Sequence, residues 1–389
     1  MDDTYDVAVI GGGPAGATAA HDLAKQGLST LLLDKAGRIK PCGGAIPPRL
    51  LRQFDIPDYL VVNRVSGAKI VSPKAKNVMM SINTGGFVGM VDRDVFDEYL
   101  RVRAADAGAD RRIGTFDHIE RDGAVPTVHY TTRDGEAAQV RARHVVGADG
   151  ALSAVGRQNI GDHAPFVFAY HEVIRAPARR DFDGDTCDVY YDGRLSPDFY
   201  AWVFPHGDTV SVGTGSAQKG FSLRRSVGAL RDIAGLADTE TIRREGAPLP
   251  LYPLKRWDNG RDVLLAGDAA GCVAPASGEG IYYAMLGGRL AADAVAEAVR
   301  TGDARALSQA RRRFMKTHGS VFWILGFMQN YWYKSDWRRE RFVAICQDRD
   351  VQDLTWDAYM NKELVVAKPM AHARIFFKNM AYLTGLAAA

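Results

Sequence analysis

Short apolar runs recur at long intervals in this chain, each followed by glycine or aspartate. Residues 5–10 read as a buried strand, and 29–33 as a second one ending at Asp34. Between them, Gly11-x-Gly13-x-x-Gly16 opens a helix over roughly 15–26. Residues 144–147 and 262–266 predict two more buried strands, the first running into Asp149-Gly150 and the second into Gly267-Asp268. Brief, fully apolar runs bounded by turn residues suit parallel strands covered on both faces. A long small-residue helix is expected from Gly280 to about Val299.

Other stretches follow a different period. Residues 69–72, 78–82, 186–191, 199–204 and 209–213 alternate apolar and polar positions and are broken by Gly, Pro and Asp. Half-buried antiparallel strands have that pattern. Residues 94–107 are helical by periodicity, with Val95, Phe96, Tyr99, Leu100 and Val102 as the expected buried positions. The expected organisation is α/β. A discontinuous nucleotide-binding domain takes 1–62, 92–162 and 258–305. A substrate domain with an antiparallel sheet takes 63–91 and 163–257, one face covering the cofactor. A mostly helical C-terminal region takes 306–389.

The first glycine motif has a physical reading. Its glycines allow a tight turn, close backbone approach to a pyrophosphate and close helix packing. Free N–H groups at the helix N-terminus favour anions. Asp34 is suitably placed for ribose hydroxyls. Taken singly, Asp149 and Asp268 read as turn residues. In this order, with Arg157 after Asp149 and Gly271, Pro275, Gly278 and Gly280 after Asp268, they resemble the flavoprotein hydroxylase superfamily. That resemblance implies FAD, held in a Rossmann-like domain, with Asp268 at the ribityl chain. It also implies that the helix after Gly280 aims its positive end at the flavin ring. The candidate cofactor contacts are Gly11, Gly13, Ala15, Gly16, Asp34, Lys35, Cys42, Gly43, Gly44, Ala45, Arg93, Asp149, Asp268, Gly278, Gly280 and Ile281.

Composition narrows the field. At 389 residues, with 47% hydrophobic and 24% charged residues, the chain can bury a large core. A net charge of +3 gives no bulk attraction to nucleic acid. The cysteines Cys42, Cys187, Cys272 and Cys346 have neither metal-ligand spacing nor disulfide density, which suits a reducing cytoplasm. The acidic start MDDTYD leads at once into a strand, so no signal peptide is expected. No apolar run approaches the ~18–20 residues that span a bilayer.

Three further segments are similar to the geranylgeranyl reductase family. They are Pro41-Cys42-Gly43-Gly44-Ala45-Ile46-Pro47, Val91-Asp92-Arg93-Asp94-Val95-Phe96-Asp97 and Tyr200-Ala201-Trp202-Val203-Phe204-Pro205-His206-Gly207. The first, with WDAYMNKELVVAKP near the end, most resembles the (bacterio)chlorophyll-biosynthesis branch. The likeness covers nearly the whole chain. It implies saturation of three double bonds of a geranylgeranyl group to phytyl, on the diphosphate or on the esterified pigment, and makes Arg93 a flavin contact. Tyr200, Trp202 and Phe204 alternate, so they share one strand face and suit an aromatic wall for a prenyl chain. With Pro205 and Gly207 they are the candidate substrate contacts. Cys42, Tyr200 and Trp202 are the candidate catalytic residues, with His171 and His206 as further proton donors. NADPH is the expected reductant, with an electron carrier such as ferredoxin as the alternative.

Residues 320–337, SVFWILGFMQNYWYKSDW, are flanked by Arg311, Arg312, Arg313, Lys316, Arg338, Arg339 and Arg341. Lys368, Arg374 and Lys378 interleave with Ile375, Phe376, Phe377 and Met380. Aromatic residues beside basic ones suit peripheral attachment to an anionic, here photosynthetic, membrane. Two other readings compete. One is a flavin monooxygenase or halogenase of the same fold, which needs a lysine such as Lys69, Lys74 or Lys76 facing the flavin. The other is a non-enzymatic prenyl-lipid escort.

Overall fold

The structure, a computed structural model, describes residues 4–35, 39–40, 42–83, 85–123, 125–162, 164–178 and 182–362. Pro41, the last part of WDAYMNKELVVAKP and the basic-aromatic segment 368–380 lie outside the described residues.

In chain order the elements begin with β1 (Thr4–Ile10), α1 (Pro14–Lys25), β2 (Thr30–Asp34), β3 (Ala45–Ile46), α2 (Pro48–Gln53), β4 (Asn63–Val65) and β5 (Gly67–Val71). Then come β6 (Asn77–Ser81), β7 (Val88–Met90), α3 (Arg93–Asp106), β8 (Asp110–Glu120), β9 (Thr127–Thr132), β10 (Ala137–Gly147) and α4 (Ala154–Asn159). Next are β11 (Phe166–Arg175), β12 (Thr186–Tyr190), β13 (Ala201–Pro205), β14 (Thr209–Ser216), α5 (Leu223–Ile233) and β15 (Thr241–Pro250). The last are β16 (Val263–Leu265), α6 (Ile281–Thr301), α7 (Gln309–Trp332), α8 (Asp336–Ile345) and α9 (Arg349–Asn361).

The chain divides into two compact units. The first comprises 1–39, 93–166 and 248–322; the second comprises 40–92, 167–247 and the chain from 323 onward. These boundaries differ from the expected ones: residues 163–166 and 248–257 fall in the first unit, and two larger differences concern 40–62 and the C-terminal region. Residues 40–62 join the second unit because β3 pairs with β7, in a small three-stranded sheet that β4 completes, and the Val62 N–H donates to the Met90 carbonyl. The helical C-terminal region is not one body, since the division falls within α7, between Phe322 and Trp323.

In the first unit, β1 pairs in parallel with β2 and β10, β2 with β8, and β10 with β16. The parallel order is thus β8-β2-β1-β10-β16. The outer halves of β8 and β10 extend beyond it and join β9 in antiparallel pairing. Val7, Ala8, Val9, Leu31, Leu32 and the whole of β16 are buried, as two-sided strands require. α3 turns a face the pattern did not anticipate. Phe96 and Leu100 are buried as expected, and Tyr99 partly so, but Val95 and Val102 are exposed. The buried face runs through Arg93, Phe96, Asp97, Leu100 and Ala104. Arg93 and Asp97 occupy it because they neutralise each other.

In the second unit the large sheet has the order β15-β11-β14-β13-β12-β5-β6. It is mixed, contrary to the antiparallel expectation, because β12 and β5 run in parallel. They come from chain segments more than a hundred residues apart, and so long a connection permits either direction. One face of this sheet packs Val203, Val210, Val212 and Ile174 against Val227 and Leu230 of α5.

Candidate functional site

The first unit carries a nucleotide cradle. β1 ends at Gly11, whose φ of +105° and absent Cβ let the chain turn against Ala148; a Cβ there would lie 2.4 Å from the Ala148 carbonyl oxygen. A Cβ on Gly16 would lie 1.8 Å from the Gly11 carbonyl oxygen, so the turn tolerates only glycine. Gly13, the N-cap of α1, has no heavy atom within 4 Å of its Cβ position and no side-chain cap. The N-terminus of α1 therefore keeps its backbone donors for a ligand. Asp34 accepts from the Gly12 N–H (3.0 Å), while Lys35 is exposed. Arg101, which the sequence reading missed, donates to the Gly12 carbonyl (3.1 Å) and lies 3.6 Å from Asp34. No local motif marks it, because α3 delivers it from ninety residues away.

Ala15 is buried beneath the second half of the cradle. A Cβ on Gly288 of α6 would come within 2.1 Å of the Ala15 carbonyl oxygen, and one on Gly267 within 2.5 Å of the Ala15 Cβ. Asp268 lies in a 3-10 turn over Gly267–Ala270. Gly278 adopts φ +66°, and Gly280 caps α6 without a side-chain hydrogen bond, leaving Ile281 as its buried first residue. These residues fit FAD: two helix N-termini without side-chain caps, a glycine turn open at Gly13 and a carboxylate at each end.

Two further candidates make hydrogen bonds within the chain. Asp149 accepts from Ser153 Oγ (2.5 Å) and from the N–H groups of Ala154 (2.7 Å) and Val155 (3.2 Å). It holds the start of α4, the turn-forming role that the residue alone suggests. Burial pushes its carboxyl up, against the pull of those hydrogen bonds. Arg93 directs a bidentate fork at Asp97, with Nε at 2.8 Å and Nη2 at 2.7 Å.

The second unit carries the other constellation. Tyr200 just precedes β13, and its ring centroid lies 5.9 Å from that of Trp202, which lies 6.3 Å from Phe204. The aromatic row is continuous and stands on the sheet face opposite the Val203 cluster. Pro205 is the last paired residue of β13, and Gly207, at φ +72°, shapes the turn into β14. Both residues shape the end of β13 and the turn that follows it.

The Cys42 loop is fastened to the end of β13. The ideal Cβ of Gly43 would lie 2.7 Å from the Phe204 ring, and that of Gly44 (φ +70°) 2.5 Å from His206 Cε1. Ala45 starts β3. His206 bridges Asp92 Oδ1 (3.0 Å) and the Gly43 carbonyl (3.1 Å). Both partners accept, so the ring makes both bonds only with a proton on each nitrogen. The hydrogen bond from His206 holds the Asp92 carboxyl below its usual range. Cys42 is partly exposed, and its Sγ accepts from the Gly44 N–H (3.3 Å). The other three cysteines are buried, which pushes each thiol up, Cys346 to about 12. Lys69 pairs with Asp188 at 2.5 Å and Lys76 with Glu340 at 3.7 Å.

Flavin-dependent enzymes share this fold. A flavin-dependent brominase superposes with a TM-score of 0.76 over 98% of this chain and all of that one; at 19% identity the likeness speaks for the fold alone. A geranylgeranyl bacteriochlorophyll reductase-like protein from Thermoplasma acidophilum superposes with a TM-score of 0.81 at 25% identity, covering 95% of this chain and 99% of that one. The fold is that of a flavoprotein.

Sequence relatives narrow the class. The family model described as lycopene cyclase protein matches residues 6–199. The geranylgeranyl diphosphate reductase of Rhodobacter capsulatus is 54% identical over 384 residues, covering 98% of each chain. This chain belongs to the geranylgeranyl diphosphate reductase family.

Proposed function

We propose that this chain is an FAD-dependent reductase that saturates three double bonds of a geranylgeranyl group to phytyl, on the diphosphate or on the (bacterio)chlorophyll ester. The observation that carries the reading is the row Tyr200–Trp202–Phe204, with the half-buried Cys42 one residue from the glycine that packs on Phe204. The backbone donors at α1, with Asp34 and Asp268, hold the cofactor. FAD supplies hydride when bound and reduced, and NADPH is the proposed donor.

The target alkenes are isolated, so no carbonyl stabilises a carbanion. Proton delivery leads and places positive character on the tertiary carbon. Aromatic faces along the chain favour that charge, and their apolar surface excludes water. Cys42 is the proposed proton donor, since its sulfur accepts from Gly44 and its S–H proton remains for donation. One hydride and one proton add across each double bond. The pairing of Lys69 with Asp188 argues against a halogenase lysine at that position.

We also place the protein peripherally on an anionic photosynthetic membrane. Trp323, 72% exposed, stacks with Phe327, which stacks with Tyr331. Arg338 lies over the Tyr331 ring and Arg341 over Trp337. Among the described residues no helix is long and apolar enough to cross a membrane.

Cys42→Ser tests the mechanism. Alkene reduction by pre-reduced enzyme should fall by roughly 10²–10⁴, the range for losing a general acid. Flavin reduction by NADPH should be nearly unchanged. An alkene step at the wild-type rate would assign the proton to another group.

A further inference from the structure

Behind the aromatic row lies a set of buried polar side chains that the proposed chemistry does not use. Trp202 on β13 and His171 on β11 both stand opposite Gly213 of β14. A Cβ on Gly213 would fall 2.2 Å from the indole and 2.7 Å from the His171 Cβ, so this glycine lets both side chains lean across the central strand. Two residues earlier on β14, on the same face, is Ser211. Its hydroxyl oxygen accepts from the Trp202 indole N–H at 3.0 Å and lies 2.9 Å from His171 Nδ1. His171 Nε2 lies 2.5 Å from Glu245 Oε2, and Arg243 Nε is 2.9 Å from the other oxygen of that carboxylate. Trp202, Ser211 and His171 are all at least 95% buried.

With a neutral imidazole, one arrangement satisfies the whole set. Glu245 accepts, so His171 Nε2 carries the ring proton and Nδ1 accepts from the Ser211 hydroxyl. Ser211 in turn accepts from Trp202. The indole N–H has one orientation in which it meets Ser211, and the remainder of the set fixes Ser211.

We infer that Ser211, His171 and Glu245 form a strut that fixes the Trp202 indole and thereby sets the register of the prenyl chain. The inference rests on the reading of Trp202 as part of the prenyl wall. Ser211, His171 and Glu245 are positioning residues that act through Trp202. An indole without its anchor samples other rotamers, and the chain then binds with the wrong double bond presented. Partly reduced products accumulate while the cofactor site is untouched.

The test uses the FAD-loaded enzyme with geranylgeranyl diphosphate and reads the ratio of partly to fully reduced product. Ser211→Ala should raise that ratio roughly 5- to 10-fold, in line with the net worth of one buried hydrogen bond. FAD content should match wild type, and the indole N–H proton resonance of Trp202 should move upfield. Glu245→Gln keeps an oxygen for His171 Nε2–H and should stay within about twofold of wild type, since hydrogen bonding and not charge is the requirement. Trp202→Phe should alter the ratio by itself, and adding Ser211→Ala to it should change nothing more.

A wild-type ratio in Ser211→Ala, with Trp202→Phe altered, overturns the strut and leaves the wall reading intact. Additive effects in the double variant also overturn it, because Ser211 would then act by another route. Loss of turnover with an unchanged ratio in Glu245→Gln overturns it in favour of a proton path. An unchanged ratio in Trp202→Phe overturns the wall and the strut together.

Discussion

Single residues here owe their roles to partners that are distant in sequence. Asp149, expected at the cofactor from its motif, accepts from three donors in Ser153–Val155. His206 was one of several candidate proton donors, and the structure makes it a clamp between Asp92 and the Gly43 carbonyl. That clamp has a pH signature. The folded carboxyl of Asp92 lies below the ordinary value of 3.8. Its stabilisation is therefore complete above the unfolded value and is lost as pH falls through the lower folded one. Asp92→Ala should lower stability at neutral pH by about 1.5–3 kcal/mol, as for one hydrogen bond to a charged group. The gap to wild type should close in strong acid. Denaturant midpoints at neutral and acid pH check this, and an equal gap at both would assign the effect to packing.

Elements were more legible than partners, and the misses have physical causes. The strands β1, β2 and β16 are continuous apolar runs and were read within a few residues of their bounds. β15 was missed because Arg243, Arg244 and Glu245 interrupt its pattern, although Glu245 turns inward to His171. α3 is helical as its period predicts, but its buried face is rotated from the expected one, because the bidentate Arg93–Asp97 pair makes two charged residues buriable while Val95 and Val102 stay exposed. α7 carries the stacked ladder Trp323–Phe327–Tyr331 at four-residue spacing, its first two rings exposed, visible in sequence as aromatics but not as a stacked row. Full removal of a large apolar side chain from water contributes about 1.5–3 kcal/mol. The double variant Trp323→Ser, Phe327→Ser should therefore weaken binding to anionic phospholipid vesicles by at least ~10-fold, even if the rings enter only part-way. Cosedimentation measures it. Unchanged binding would remove this face from the membrane contact, and wild-type reductase activity on detergent-dispersed substrate would show the site intact.

At the scale of the molecule, the two classes of strand pattern were legible as two kinds of sheet, but their boundaries were not. Residues 40–62 carry no period that distinguishes them from the first unit; the pairing of β3 with β7 assigns them. The chain enters each unit three times. The parallel sheet that opens at Thr4 receives its last strand only at Val263–Leu265, and α6 follows from Ile281. This ordering has a consequence during synthesis. At about 5–20 residues per second, a ribosome needs roughly a quarter of a minute to a minute to pass Ile281. Until then the glycine turn is exposed without the segment that completes its pocket, and the nascent chain has nothing to hold FAD at both ends. If the proposed cofactor site is right, flavin capture is expected late in biogenesis. Stalled chains ending at residue 258 should take up no FAD, whereas chains with residues 1–322 outside the exit tunnel should do so. Flavin fluorescence on purified stalled ribosomes reads the difference, and capture by the shorter chain would place cofactor loading ahead of sheet completion.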